Sequence, residues 1–427
     1  MNPPVKKKSV TAIKGTKDIL PLEVGKWQRL ESAAKEIFER YGYREIRTPV
    51  FEDTELFKKG TGETSDIVIK EMYTFTDKGG RSLTLRPEYT PSVVRAIIDN
   101  SLNLKPQPMR FYFIGPMFRY DRPQKGRYRQ FHQIDIEVFG EEDPAIDAEI
   151  VEMADSLLKR LGVADFDILV NSVGCRECRL PYLRSLQREA EKRRGDFCAD
   201  CQRKISTNPL RIFDCKVETC RGLAVGLPKI SGFLCQSCRS HFQAFLSHLD
   251  AYGIDYRIEP QLVRGIDYYT KTTFEIVTSL LGAQDAVLGG GRYDEMMKDF
   301  GGPDICGIGF AIGMERLLEI VPSKDTEKHF LFIAYLGDKA KEVGMQLARR
   351  FRQCGIEILI EYKGRSLKNQ LARANKLGAT WVVIVGEDEV EKGLFQIKTM
   401  ATGEQREVSV EEIQKILEKT GKKGADV

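Results

Sequence analysis

Two groups of residues in this chain have types and spacings that could do chemistry. The first lies in QFHQIDIEVFG, Gln130 to Gly140. As an extended strand with a two-residue period, this segment sorts into two unlike faces. His132, Ile134, Ile136 and Val138 share one face, and Phe131, Gln133, Asp135, Glu137 and Phe139 share the other. An amide and two carboxylates thus stand in a row between aromatic rings. A solvated sheet face would also give a polar row, but the preceding DRPQKGRYR brings Arg122, Lys125, Arg127 and Arg129, with Arg119 at its base. Carboxylates flanked by guanidinium groups suit an anionic ligand such as a nucleotide beside a cationic ligand head.

The second group is cysteine. Cys175, Cys178, Cys198, Cys201, Cys215, Cys220, Cys235 and Cys238 fall in one stretch, mostly as Cys-x-x-Cys pairs. That spacing matches the knuckles of structural zinc sites, so at least one tetrahedral zinc site is expected. Buried free thiols are the competing reading, and spacing does not fix how eight thiols pair.

Smaller motifs surround these. TLRPEYT supplies Arg86, Glu88 and Thr90, the last also placed to open a helix. LVRGIDYYT sets Arg264 before a glycine turn and Tyr268 and Tyr269 after it. GGGRYD lacks the Lys-Ser/Thr of a phosphate loop and GIGFAIG lacks dinucleotide spacing, so both fit better as close-packed strand ends. In GFAIGMERL, Arg316 falls in the first turn of a helix, where backbone N–H groups and the dipole favour phosphate.

The elements that must position these residues follow from periodicity. Trp27, Leu30, Ala34, Ile37, Phe38 and Tyr41 recur at helical spacing and Gly42 stops the helix. YREIRTPVFE then reads as a short strand whose Pro49 belongs at an edge, bulge or interface. MRFYFIGPMFRY and QFHQIDIEVFG form a long antiparallel hairpin, and GIGFAIGMERLLEI reads as a strand entering a helix. Between Cys175 and Cys238 there are 13 Lys or Arg against 7 Asp or Glu, which marks the cysteine-rich block as an insertion. After the polar VPSKDTEKH, the order LFIAYL, helix near Lys339 to Cys354, EILIEY, helix near Ser366 to Leu377, WVVIVG implies a separate βαβαβ domain with a mostly parallel sheet.

The chain of 427 residues is too long for one core and suggests about three domains. Its net charge, 66 minus 62 or +4, is too small to argue for nucleic acid by itself, so any basic surface must be local. The longest apolar run, Ile305 to Met314, is about half of the roughly 20 residues a bilayer span needs, so no membrane crossing is expected. MNPPVKKKSV has no apolar stretch behind its charges and reads as a loose tail, which makes the cytoplasm the expected location.

FRYDRPQKGRYRQFHQIDIEVFG, LVRGIDYYT, GGGRYD and GFAIGMERL, in that order and followed by a small α/β domain, resemble the bacterial histidyl-tRNA synthetase family from about Ser9 to near the C-terminus. The hairpin and GFAIGMERL look like motifs 2 and 3 of class II aminoacyl-tRNA synthetases, and the first helix with YREIRTP looks like motif 1. The resemblance implies an α+β catalytic domain with an antiparallel sheet over residues 1–170 and 261–324. It also implies an inserted cysteine-rich domain over 171–260 and a C-terminal α/β anticodon-binding domain over 329–427. It implies a ligase that activates L-histidine with ATP and Mg and charges tRNA(His) as a homodimer. Carried over by motif position, Glu88, Thr90, Arg119, Gln133, Glu137, Tyr268 and Tyr269 would surround histidine. Arg119, Arg127 and Arg316 would hold the ATP phosphates, Phe131 would lie under adenine, and Arg264 would meet the α-phosphate as the histidine carboxylate attacks it.

Two positions depart from the family pattern: Tyr89 stands where glycine is usual between Glu88 and Thr90, and Asp121 stands where glutamate is usual. A non-catalytic relative, the regulatory subunit of ATP phosphoribosyltransferase, would be expected to have degraded LVRGIDYYT and motif 3 segments and to lack the last domain. Sister synthetases for threonine, proline or glycine would share that domain without LVRGIDYYT.

Overall fold

The structure is a computed structural model that describes residues 10–63, 65–124, 126–264, 266–282, 286–322, 329–353 and 357–421. Lys125, Gly265, Cys354, the tail 1–9 and the linker residues 323–328 lie outside the described residues. The chain divides into two units, at residues 1–323 and 324–427.

In the first unit the strands are β1 (Arg44–Glu45), β2 (Phe51–Asp53), β3 (Tyr73–Thr76), β4 (Ser82–Leu85), β5 (Met109–Phe118), β6 (Gln130–Phe139), β7 (Asp167–Ser172), β8 (Arg257–Ile258), β9 (Thr270–Val277), β10 (Ala286–Arg292) and β11 (Gly307–Gly313). The main sheet runs β1-β5-β6-β11-β10-β9-β7-β8, and β2-β4-β3 form a small second sheet. Its six central strands pair antiparallel, as the hairpin pattern implies, while the two-residue edge strands β1 and β8 pair parallel. YREIRTPVFE is thus split between two sheets: Arg44–Glu45 joins the main one, Phe51–Asp53 joins the small one, and Pro49 lies between them.

One face of the main sheet is apolar and closed by helices Pro21–Arg40, Pro144–Arg160 and Gln236–Tyr252. Ile134, Ile136 and Val138 enter this core with Leu30, Ala34, Ile37 and Phe38 of the first helix. The first helix starts at a proline, which fits a first helical turn, and ends at Tyr41 just before Gly42, at φ +81°. Helix Pro144–Arg160 is capped by the Asp143 side chain, which accepts from the Ala145 N–H at 2.9 Å. Its start is locked to β10 by Arg292, whose Nε lies 2.7 Å from Oδ1 of Asp147, both side chains being fully buried. Arg292 also donates to the carbonyls of Glu141 and Asp143, so the guanidinium of GGGRYD is saturated inside the fold.

After β7 the chain runs through helices Arg176–Glu191, Ala199–Thr207 and Glu218–Val225, with short turns at Arg194–Asp196, Pro209–Ile212 and Ile230–Gly232. This region has its own core, in which Cys178, Cys201, Cys215, Cys220 and Cys238 pack with Tyr182, Leu186, Phe197, Ile205 and Ile212. Helix Gln236–Tyr252 serves two cores: Cys238 belongs to this one, while Phe245 and Leu249 belong to the main one. The expected border at 170/171 falls inside β7, whose Asn171 and Ser172 still pair with β9.

The second unit has β12 (Leu331–Tyr335), β13 (Ile358–Ile360), β14 (Trp381–Val385), β15 (Phe395–Thr399) and β16 (Gln405–Val408), in the order β13-β12-β14-β15-β16. The first three are parallel and are joined through helices Asp338–Gln353 and Leu367–Leu377, the order read from the sequence. β15 and β16 add an antiparallel hairpin that the apolar pattern did not announce, because Gln396, Lys398, Gln405, Arg406 and Glu407 leave few apolar positions there. No helix among the described residues is long and apolar enough to cross a membrane.

Candidate active site

The other face of the main sheet floors a cavity of about 530 Å³, within the range of small-ligand sites. Across its floor Glu137 pairs with Gly309, Asp135 with Ala311 and Gln133 with Gly313. The polar row on β6 therefore lies beside a row on β11 that has almost no side chains. A Cβ on Gly309 would stand 2.3 Å from Oε2 of Glu137, and one on Gly289 would stand 1.9 Å from Nη2 of Arg264. The glycines of GIGFAIG and GGGRYD thus make room for one carboxylate and one guanidinium.

Three carboxylates sit out of water here. Glu88, Asp135 and Glu137 are 4%, 3% and 3% exposed, which excludes the solvated-face reading of the strand. Glu88 accepts from the Thr61 hydroxyl and, at 3.1 Å, from Tyr268 Oη. Glu137 accepts from Thr90 Oγ1 at 2.5 Å and from the Tyr293 hydroxyl. Burial raises the pKa of all three, most strongly for Asp135 and Glu137. The negative charge of Glu88 pushes Asp135 and Glu137 further up, while Arg86 and Arg119 pull Asp135 back. Burial also raises Tyr268 well above the usual phenol range and Tyr269 to about 12, so both are hydrogen-bonding phenols at neutral pH.

Cations ring the same cavity. Arg119 donates from Nε to the Pro87 carbonyl at 2.8 Å and lies 5.2 Å from the centre of the Phe131 ring. Arg127 is held by Asp121, Nη1 to Oδ2 at 2.8 Å, so the shorter acid still finds a cationic partner. Arg316 donates to the Ala286 carbonyl at 2.9 Å. Arg264 is paired with Glu275 on β9, not with its near neighbour in sequence, Asp267. Glu88, Thr90, Arg119, Arg127, Phe131, Gln133, Glu137, Arg264, Tyr268, Tyr269 and Arg316 all line this one space.

Tyr89 adopts φ −104°, ψ −37°, a conformation that does not need glycine. Its ring stacks on Phe113 with centroids 3.6 Å apart, and its hydroxyl donates to the Ile46 carbonyl at 2.7 Å and accepts from the Thr48 N–H at 3.2 Å. It pins Glu88 and Thr90 to the Ile46–Thr48 segment. Arg86 is 2% exposed and donates to the carbonyls of Pro116, Thr48 and Pro49, a structural part that braces the same segment.

Sequence reasoning missed several residues of the site. Glu275 occupies an alternating position on β9 and was findable only by knowing that β9 lies next to β10. Lys204, Arg211, Asp214 and Lys216 reach the cavity from the cysteine-rich region. Burial raises the Asp214 carboxyl to about 6 against the lowering charges of Arg264, Arg211 and Lys204.

The eight cysteines form two quartets, Cys175, Cys178, Cys235 and Cys238 in one and Cys198, Cys201, Cys215 and Cys220 in the other. Within each quartet every Sγ lies within 4.8 Å of the others.

Residues 15–185 and 228–317 match the sequence model of a family described as Histidyl-tRNA synthetase, and residues 331–420 match one described as Anticodon binding domain. The histidine–tRNA ligase of Halothermothrix orenii is 47% identical over 417 residues, spanning 96% of this chain and all of that protein. That of Desulforamulus reducens is 48% identical over 408 residues, 94% of this chain and 97% of the relative. The crystal structure of apo Staphylococcus aureus histidyl-tRNA synthetase superposes with a TM-score of 0.80 at 35% identity, covering 96% of this chain and 100% of that one.

The raised carboxyl of Asp135 has a thermodynamic consequence. Its folded pKa lies above the 3.8 of an unfolded chain, so its contribution to stability is present at low pH and is lost as pH rises through the carboxylate range and beyond. Asp135→Asn keeps the shape and removes the charge. We expect it to raise the melting temperature of the ligand-free protein at pH 7.5 by about 1–2 °C, equivalent to roughly 1 kcal/mol for a unit of this size, with the gain shrinking toward pH 4. Scanning calorimetry between pH 4 and 8 checks this, and a lower melting temperature for the variant at pH 7.5 would contradict it.

Proposed function

This chain belongs to the histidyl-tRNA synthetase family, and we propose that the cavity over its main sheet is where it joins L-histidine to ATP as histidyl-adenylate and passes the histidine to tRNA(His). The enzyme is a ligase that releases AMP and diphosphate, and Mg·ATP is its nucleotide substrate. The observation that carries the assignment of the cavity is the juxtaposition, in one space, of buried carboxylates with three arginines suited to phosphate. Glu88, Thr90, Gln133, Glu137, Tyr268 and Tyr269 form the histidine end, where an ammonium and an imidazole meet acceptors already out of water. Arg119, Arg127 and Arg316 form the phosphate end, with the Phe131 ring as a platform for adenine.

In the first step the ionised histidine carboxylate attacks the α-phosphorus, and the bond to the β-phosphate oxygen breaks as diphosphate leaves. No proton has to be removed, so the site works by positioning and by neutralising a crowded anion. Arg264, held by Glu275 in the space Gly289 leaves open, is the group assigned to the five-coordinate α-phosphate.

The second unit is read as the anticodon-binding domain: 10 Lys or Arg against 3 Asp or Glu between Lys339 and Lys376 give its first two helices a basic character suited to RNA. The division of the first unit into a discontinuous catalytic domain and a cysteine-rich insertion rests on the separate core of the latter. The cysteine quartets are read as zinc sites, and the enzyme as a cytoplasmic one.

The same reading makes the enzyme a homodimer. Its support is an apolar face beside Pro49, where Val50, Phe51 and Phe75 are exposed and the two rings lie 6.5 Å apart. Sedimentation at micromolar protein should give twice the chain mass, and a monomer mass would remove the dimer.

Pyrophosphate exchange with each of the twenty amino acids tests the function itself: exchange should depend on histidine alone. In single turnover with saturating ligands, Arg264→Ala should form histidyl-adenylate on the order of 10² to 10³ more slowly, with folding and both binding constants nearly intact. Exchange with another amino acid would overturn the substrate, and an adenylation rate within threefold of wild type would take Arg264 off the catalytic list.

A further inference from the structure

The residues between 186 and 227 fall in the gap of the family match, yet this stretch holds one whole cysteine quartet and four residues that line the cavity. Two features make both quartets fit a tetrahedral metal ion. A zinc–sulfur bond of about 2.3 Å places the four sulfurs about 3.8 Å apart. The Sγ distances are 3.6 Å for Cys175 to Cys178, 4.0 Å for Cys175 to Cys235 and 3.9 Å for Cys198 to Cys215. Backbone N–H groups also point at the sulfurs, Cys235 to Cys178 at 3.0 Å and Cys198 to Cys220 at 3.2 Å, as charged thiolate acceptors require. Five of the fourteen buried residues of the surrounding core are these cysteines, so without an ion that core is short of apolar contact.

Each quartet is one step from the LVRGIDYYT segment. Arg179, next to Cys178, donates to the backbone carbonyl of Asp267 at 3.2 Å and to that of Tyr269. The second quartet closes a loop from Cys198 to Cys220, and within that loop Asn208 Nδ2 and Arg211 Nη2 reach Oδ1 of Asp267 at 3.1 and 3.4 Å. Asp267 stands between Arg264 and Tyr268. The backbone that carries the α-phosphate arginine and the histidine-facing tyrosines is therefore gripped from the cysteine-rich region at its side chain and at two carbonyls. Four thiols that bind Zn²⁺ as thiolates shed four protons and fix the ends of the two gripping segments.

We propose that the two cysteine quartets each hold a zinc ion, and that the pair of ions braces the Arg264–Tyr269 segment through Arg179, Asn208 and Arg211, so that metal in the insertion sets the affinity of the histidine end of the cavity. The inference rests on the assignment of Tyr268 and Tyr269 to histidine. Asn208 is a positioning residue that acts through Asp267, while Arg211 grips Asp267 and also lines the cavity.

The test uses the full-length, metal-replete protein. Elemental analysis should give two zinc per chain, and Cys198→Ser/Cys215→Ser should give one. Asn208→Ala, which keeps all eight cysteines and removes a side chain that grips Asp267 from outside the cavity lining, should retain two zinc and near-normal melting while raising the histidine KM in pyrophosphate exchange about fivefold and leaving the ATP KM unchanged. Clearly fewer than two zinc per chain overturns the paired metal sites. Two zinc with an unchanged histidine KM in Asn208→Ala overturns the brace and leaves the sites standing. A parallel rise in both KM values would show general loosening and would also overturn the brace. Failure of the function reading is separate, since it would appear as wild-type exchange independent of histidine.

Discussion

Three carboxylates held out of water on one face of a sheet set the terms for the rest of this molecule. Removing a carboxylate from water costs several kcal/mol in a real protein, about as much as any single core contact returns. Glu88 and Glu137 meet that cost in part through hydroxyl donors from Thr61, Thr90, Tyr268 and Tyr293. Asp135 Oδ1 has no hydrogen-bond partner among the described residues, and all three carboxyls hold their protons more tightly than usual. The remainder is left for a cationic ligand. Around this cluster the fold is built for access and rigidity: glycine and alanine on β11 open the floor, and Ile134, Ile136 and Val138 on the reverse face of the same strand seal it into the core. One strand thus carries core apolar packing on one side and buried carboxylates on the other.

Much of this was legible in the sequence because β6 states it in alternation. Gln133, Asp135 and Glu137 follow a two-residue period, and a two-residue period survives into structure whenever both neighbours of a strand are paired. The arginines of the hairpin were legible for the same reason, being tethered to that strand. Residues that arrive from elsewhere in the chain were not. The sequence places Arg264 before a glycine turn but does not name its partner, which is Glu275 on β9, and the space it fills exists because residue 289 has no side chain. Tyr89 reads as a disturbance of the backbone, and it is instead a pin between the Glu88–Thr90 pair and the segment at Ile46. In both cases sequence supplies the residue and tertiary register supplies the partner.

The cysteine-rich region shows the same division between what spacing gives and what folding gives. Cys-x-x-Cys pairs announce metal chemistry, but only the fold sorts eight thiols into 175/178/235/238 and 198/201/215/220. Helix Gln236–Tyr252 explains why the region is not a free appendage. Its first turn carries Cys238, Cys235 caps it, and its second half lies in the main core, so the region and the sheet share a rigid element. The polar hairpin β15–β16 marks the opposite limit: a half-buried strand pair with a charged outer face leaves too weak an apolar signal to be read in advance.

The central claim is that the buried carboxylates exist to receive the cationic part of histidine. Calorimetric titration of the full-length protein with histidine, histidinol and imidazolepropionate at pH 7.5, without ATP, addresses it directly, since the last two lack only the carboxylate or only the ammonium. Losing a hydrogen-bonded charge opposite buried acceptors should weaken binding by roughly 10- to 150-fold, so imidazolepropionate should bind far more weakly than histidinol. Imidazolepropionate binding as tightly as histidine, or more tightly than histidinol, would contradict the account.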